Sequence, residues 1–531
     1  VEEQSTSTLD AETLSNGETE HQETKNGHNK QLRRLETVPD IKRDTSGITT
    51  QYIAAGIVNL GAFAAGVCIA WSSSAFPTII SNNGQNQVRF TLIILPLLDW
   101  GEQTSGENLT LADASWPASL LCLGAVFGSV PAGLISQYFG RKKTLLYLAL
   151  PLLVSWILVA SSPNVYGLHV GRFVGGISVG AISVSIPPYV EDIAEKQLLP
   201  TLANFYHVHL SCGILFGYII GMVGNTTWFS VLCASIPIAF FIAFIFLPES
   251  PTYLMSQGKF NEAKAALRYF RGIDNDIDSE LKALKEHLRS SAKTRVTFKD
   301  LLETRATLKA LFVSFALMLF QQLSGFYPII FYAQDIFTTF DISLEPPNAA
   351  ILLGFCLVSS TYFTTMLLKV VRRRVLLLIS FFTMLLSLGG LSIYYHLVAS
   401  RYQLDKTWIP LLCLCLHVSV YAAGAGPIPW LMLREIFPRN VTRRATAITA
   451  GLHWFLAFAV IKLHRNLEDK VKSGWTLWLY AISCLIGTLF VYFFVPETKD
   501  RTLEEIQDEF DGIHKMKKHT HVIEVECFSG V

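Results

Sequence analysis

Twelve stretches of apolar residues, each near the roughly 20 residues that an α-helix needs to cross a bilayer, dominate this 531-residue sequence. They run over 51–72, 114–135, 144–162, 166–189, 201–223 and 228–248, then 307–333, 348–368, 375–398, 408–432, 444–463 and 475–495. No soluble fold buries twelve such segments. Charged residues make up 16% of the chain, where a soluble protein carries about a quarter, so an apolar medium must cover part of the surface. The sequence therefore predicts an all-α membrane protein of twelve transmembrane helices, with the lipid bilayer as its first partner. Small residues recur inside the spans, as in Gly171-Arg-Phe-Val-Gly175-Gly176-Ile-Ser-Val-Gly180. They let helix backbones approach closely where lipid supplies no hydrophobic drive.

Lysine and arginine set the orientation. Of 43 such residues, 35 fall in or beside the terminal tails and the loops that follow even-numbered spans. The positive side faces the cytoplasm, so both termini are expected there. The spans divide the chain into a polar, disordered N-terminal tail at 1–50, a six-helix half at 51–249 and a charged loop of short helices at 250–306. A second half at 307–496 and a tail at 497–531 follow. No cleavable signal peptide is expected at the start. Residues Phe90 to Leu98 are apolar but too short to span. Asn108, in the long first outside loop, is the expected glycosylation position; the sequons at Asn225 and Asn440 fall too near the bilayer or on the cytoplasmic side.

Several function classes drop out. Net charge is +1, so no global field attracts nucleic acid. Eight of the nine cysteines lie in apolar segments and form no CxxC or Cys/His ligand spacing, which reads as small buried hydrophobes rather than a metal site. No nucleophile–base motif, phosphate loop or cofactor fingerprint occurs, so the chain is expected to be no enzyme and to hold no cofactor.

Two signals recur at an interval of six helices. Phe139-Gly-Arg-Lys-Lys-Thr-Leu-Leu146 follows the second span and Val371-Arg-Arg-Arg-Val-Leu-Leu-Leu378 the eighth; Pro248-Glu-Ser250 closes the sixth and Pro496-Glu-Thr498 the twelfth. Such repeats mark two parallel six-helix halves, and transporters built this way bind substrate between the halves near mid-membrane.

Residues 50–510 resemble the sugar porter family of the major facilitator superfamily. The resemblance rests on Gly133…Gly140-Arg141-Lys142-Lys143, Gly171-Arg172, Pro187-Pro-Tyr189-Val-Glu-Asp192-Ile and Pro248-Glu-Ser-Pro251. It continues in Gln321-Gln322-Leu-Ser324-Gly325, Gly424-Ala-Gly426-Pro427-Ile-Pro429-Trp430, Glu435-Ile-Phe-Pro438 and the run from Pro496 to Ile506. Leu109-Thr-Leu-Ala-Asp-Ala-Ser-Trp116 is similar to an insect group within that family that carries trehalose. The resemblance implies a plasma-membrane carrier that moves a small sugar, trehalose or a hexose, by alternating access. Nothing in the sequence specifies an oligomeric state.

The candidate pocket follows from side-chain chemistry. Gln321 and Gln322 offer uncharged donors and acceptors inside an apolar helix, which suits sugar hydroxyls; the alternative is an amide that ties helices together. Two glycines and two prolines from Gly424 to Pro429 break the tenth span, and broken helices mark transporter sites. Trp430 follows the break, where it stacks on a sugar ring or packs in the core. By position in the family, His207, Tyr327, Tyr332 and His453 complete the expected pocket. At the cytoplasmic ends the resemblance implies ion pairs of Arg141, Asp192 and Glu249, then Arg373, Glu435, Glu497 and Arg501, tying the halves together; the alternative is anchoring by positive charge. The chain departs from the family at Gln137, Leu199-Pro200, Thr252, Lys369, Ala422 and Thr442, and in the pocket at His207, Tyr327 and His453.

Span 1 lacks the acid that proton-coupled relatives use, and no Asp or Glu falls at mid-membrane. A uniporter is therefore the expected mechanism. A proton symporter working through His207, His209, His417 or His453, and a sugar receptor with little transport, are the alternatives.

Overall fold

The computed structural model describes residues 45–81, 111–162, 165–272, 276–292, 304–340, 342, 344–399 and 408–512. The expected disordered tail up to residue 44, the Phe90–Leu98 segment, Asn108 and Cys527 lie outside these residues. Within them, twelve helical segments are long and apolar enough to cross a membrane, one for each expected stretch.

The first half comprises α1 (Thr45–Ser81), α2 (Leu111–Phe139), α3 (Arg141–Ser161), α4 (Val165–Ile193), α5 (Leu199–Ile220) and α6 (Thr226–Phe244). Helix α1 begins before residue 51 and runs past residue 72 to Ser81, with Pro77 inside it. Short helices α7 (Pro251–Ser256), α8 (Phe260–Arg271) and α9 (Ile277–Ala292) follow, as the amphipathic charge pattern of this loop predicts. Helix α8 buries Ala263, Leu267 and Phe270 on one face. It docks under α1, where the Gln51 amide donates to the Phe270 carbonyl at 3.0 Å.

The second half repeats the plan with two interruptions. Its seventh span is α10 (Arg305–Leu323) and α11 (Phe326–Phe331) in succession, and the short helix α12 (Ala333–Thr339) follows it. The eighth and ninth are α13 (Pro346–Val370) and α14 (Arg373–Ala399). The tenth is α15 (Trp408–Val420), a π-helical turn (Tyr421–Ala425) and α16 (Ile428–Glu435). Helices α17 (Arg439–Val471) and α18 (Ser473–Phe494) complete the bundle, and α19 (Leu503–Asp511), started by a Thr502–Glu505 capping box, lies on the same face as the start of α1 and the short helices α7 to α9. We call this the tail face.

The halves meet along two seams, α2 with α17 and α5 with α13. The Asn204 amide donates to Thr365 Oγ1 at 2.7 Å across the second seam. Away from the tail face, Tyr218 donates to the Ile330 carbonyl at 2.7 Å and the Gln334 amide to Ser74 Oγ at 3.1 Å. Outward-facing Phe127, Phe246, Phe355, Phe363 and Phe493 are more than half exposed, a belt that only lipid covers at no cost.

Candidate functional site

The two broken helices meet at the centre. Ser324-Gly325 ends α10, with Gly325 at φ 81°, a conformation that favours glycine. In the tenth span the Gly426 amide bonds back to the Tyr421 carbonyl at 2.8 Å, closing the π turn. Pro429 has no N–H, so it cannot bond the Ala425 carbonyl one turn behind it. The Gln321 amide takes that role: its Nε2 donates to Ala425 O at 2.7 Å and to Gly426 O at 2.9 Å. Gln321 therefore ties α10 to the break.

His453, from α17, joins the cluster. Its Nδ1 lies 3.1 Å from Gln321 Oε1. Its Nε2 lies 3.1 Å from the Tyr327 hydroxyl. The Gln322 amide approaches the same Nδ1 at 2.9 Å, and its oxygen is buried with no partner. Gln322 is thus the member with hydrogen-bonding capacity to spare. Aromatic rings wall the cluster: Trp430 stands 4.9 Å and Trp454 5.2 Å from the His453 ring, both edge to face. Trp454 also donates to Ser183 Oγ of the other half at 3.2 Å.

One expected pocket residue lies elsewhere. Tyr332 is carried away by the turn between α11 and α12; its ring stacks on His464 at 5.7 Å and its hydroxyl has no partner. His207 sits on α5, half-buried, with its ring against Tyr206.

At the tail face each half builds the same polar knot. Arg141 pairs with Asp192 at 2.6 Å, Ser250 donates to the same carboxylate, and Glu249 accepts the backbone amides of Lys142 and Ser250. In the second half Arg373 reaches Glu435 at 3.5 Å, Thr498 donates to Glu435 at 2.5 Å, and Glu497 accepts the amides of Arg373 and Thr498. These pairs lie inside each half. This differs from the expectation that they tie the halves together: each arginine is held within reach of its own half's carboxylate by the adjoining short loop. Arg501 pairs with Glu509 of α19, again within one half.

An ion pair that does cross is Glu191–Arg434. Sequence reasoning passed it over, although a signal existed. Asp192 and Glu435 are repeat-equivalent, so their preceding residues, Glu191 and Arg434, are equivalent too and carry opposite charges. An exposed pair of this kind contributes about 1 kcal/mol. Glu191→Arg should therefore shift the population open at the tail face roughly fivefold, and Glu191→Arg with Arg434→Glu should restore it. The check is the labelling rate of a cysteine placed at Ala132, which is buried with Ala181 and Ala450 between the halves.

Opposite the tail face, Asp335 lies beside Arg465 and Glu468. Burial pushes its carboxyl up from 3.8 to about 6; Arg465 opposes this and Glu468 adds to it. The folded value exceeds the unfolded one, so the ionised form is the one that folding disfavours. Asp335 then costs on the order of 2–3 kcal/mol above pH 6, a cost that fades as pH falls towards 4. Melting temperatures at pH 7.5 and pH 5 should converge in Asp335→Asn relative to the wild type.

One charge lies deep in the first half. Arg172 is 2% exposed. It donates to the Cys68 carbonyl at 2.8 Å, Ser72 Oγ at 2.8 Å and the Pro117 carbonyl at 3.2 Å, and lies over the Trp71 ring. All its partners are neutral. Every Asp and Glu in the twelve spans sits at the very end of a span. Among the described residues no cluster of His, Cys, Asp and Glu is arranged to hold a metal ion.

Two six-helix halves, two broken helices facing each other and a buried polar cluster between them define a membrane carrier of the major facilitator fold. The chain belongs to the family described as Sugar (and other) transporter, whose profile matches residues 99–510; that family consists of transporters, not enzymes. The facilitated trehalose transporter Tret1 of Bombyx mori is 34% identical over 404 residues, covering 75% of this chain and 79% of that protein. Its counterpart in Drosophila virilis is 31% identical over 468 residues, but this chain spans only 49% of its length. The fold is that of the proton:xylose symporter XylE bound to 6-bromo-6-deoxy-D-glucose, at TM-score 0.69 and 22% identity, covering 87% of this chain and all of that one. A partially occluded inward-open XylE from E. coli also superposes at TM-score 0.69, with 21% identity over 86% of this chain and all of that one.

Proposed function

We propose that this chain is a uniporter that carries trehalose or a hexose down its gradient, exposing one central site alternately to each side of the plasma membrane. Both termini face the cytoplasm in this reading, as the lysine and arginine distribution requires, which places Asn108 outside. The sugar is held by Gln322, with Tyr327, His453 and Trp430 around it, His207 lining the approach on α5, and Gln321 fixing the break beside it. Tyr332 belongs to the outer closure, and the Arg141–Asp192–Glu249 and Arg373–Glu435–Glu497 knots, with Arg501, stiffen the inner ends of the halves.

The observation that carries uniport is Arg172. A buried guanidinium satisfied by carbonyls and a hydroxyl leaves no carboxylate to take up and release a proton as the carrier turns over. The relatives named as trehalose transporters support trehalose as the first sugar to try. Competition between radiolabelled trehalose and glucose, fructose or a polyol in proteoliposomes tests the substrate. Binding without flux for every sugar would leave a receptor in place of a carrier.

A further inference from the structure

The internal repeat exposes one asymmetry at the tail face. Both halves hold the same knot of arginine, carboxylate and hydroxyl. Counting from its arginines and glutamates, Gln137 corresponds to Lys369, Pro251 to Lys499 and Tyr253 to Arg501. The first half builds its knot without these three cations, so the knot does not require them. In the second half they line, together with Arg373, a cavity of about 460 Å³.

The charges around this cavity do not balance. Four cations face two carboxylates, Glu435 and Asp500. Glu435 is already engaged by Arg373 and Thr498. Lys499 caps the end of α13, donating to the carbonyls of Lys369 at 2.6 Å and Val370 at 2.8 Å, and makes no ion pair among the described residues. Arg501 is met by Glu509. Arg373 keeps a buried Nε with no partner. The Lys369 ammonium has no ion pair or hydrogen bond among the described residues. Cations gathered in a partly closed cavity repel one another unless an anion joins them.

We infer that this cavity binds a phosphate-bearing anion through Lys369 and Arg373. A dianionic phosphate matches the excess of positive charge, and a guanidinium beside an ammonium is a pairing that suits its oxygens. The volume holds a phosphate ester and far exceeds a halide. The cavity lies at the membrane boundary, so the phosphate comes either from a lipid headgroup or from a soluble ester. Pro200, at the start of α5 in the other half, also lines it. The anion therefore sits where the halves meet, and its occupancy favours the state in which α5 closes against the α13–α14 loop.

The test uses the purified full-length carrier without sugar, so its outcome is independent of whether the chain transports sugar. Pyrophosphate is titrated against sodium chloride of equal ionic strength, with the melting temperature as readout. In parallel, phosphatidylcholine vesicles with and without phosphatidic acid are compared. A saturable rise with pyrophosphate identifies the soluble source; a rise with phosphatidic acid alone identifies the lipid. In either case Lys369→Gln should weaken the response about tenfold, the loss of one charged contact, and Lys369→Glu should abolish it. Lys369 is exposed, so neither change threatens the fold. No response to either probe, or a Lys369→Glu carrier that responds like the wild type, overturns the inference.

Discussion

Gln321→Leu should lower both the melting temperature of the sugar-free carrier and its uptake, the latter at least tenfold, whereas Gln322→Leu should weaken sugar binding and leave the sugar-free protein nearly as stable as before. The two amides are neighbours, but their accounts differ. Gln321 Nε2 serves two carbonyls at the break, Ala425 O and Gly426 O. Each buried carbonyl left without a donor costs about 1–3 kcal/mol, and each 1.4 kcal/mol is about tenfold in an equilibrium. Gln322, by contrast, has a buried oxygen with no partner, so leucine there removes a group that the ligand-free fold leaves unsatisfied. Melting curves without sugar and sugar affinities for both variants separate the roles. Equal melting temperatures for Gln321→Leu and wild type would mean that the break finds other donors and that Gln321 acts as a ligand of the sugar.

Gly176→Leu should leave no folded carrier to purify. Helices α2 and α4 cross through two pairs of glycines spaced four apart, Gly124 and Gly128 on one, Gly176 and Gly180 on the other. A Cβ at Gly176 would land on the Leu121 carbonyl oxygen, and one at Gly180 on that of Ala125; those at Gly124 and Gly128 would meet the carbonyls of Phe173 and Ile177. The obstacle is backbone in every case, so no side chain can turn aside. Overpacking of a flexible core costs about 1–3 kcal/mol; here the helices must part and lose their dispersion contacts along the whole crossing. Gly390→Leu is the control, since a Cβ there meets nothing. Gel-filtration yield and melting temperature decide it. A Gly176→Leu carrier that behaves like Gly390→Leu would mean that the crossing is looser than described.

The spans were legible because bilayer thickness imposes one length on apolar segments. The break in the tenth span was legible too, since the glycine–proline run from Gly424 to Pro429 states the backbone problem locally, whereas the break of the seventh span at Gly325 was not expected. What was not legible was who solves it. An amide in an apolar helix looks the same whether it meets a sugar or a carbonyl, and the carbonyl freed by Pro429 lies on a different helix from Gln321. Tyr332 was placed with the pocket by the resemblance, but the turn at the end of α11 sends it to His464. The charged ends of the spans were legible as conserved chemistry within the repeat, Arg141 with Asp192 and Arg373 with Glu435. Which charge crosses between the halves was legible only by setting one repeat against the other, where Glu191 and Arg434 fall at equivalent positions with opposite charges.

The central claim is that the carrier equilibrates sugar without drawing on protons. Proteoliposomes loaded at neutral pH and placed in an acidic bath with radiolabelled trehalose, or with whichever hexose competes best, test it directly. The account predicts that the internal concentration rises to the external one and stops there, with or without a protonophore. Accumulation above the external level that collapses when the protonophore is added would contradict it, and would place a proton-accepting group in the central cluster, with His453 and His207 the first to replace.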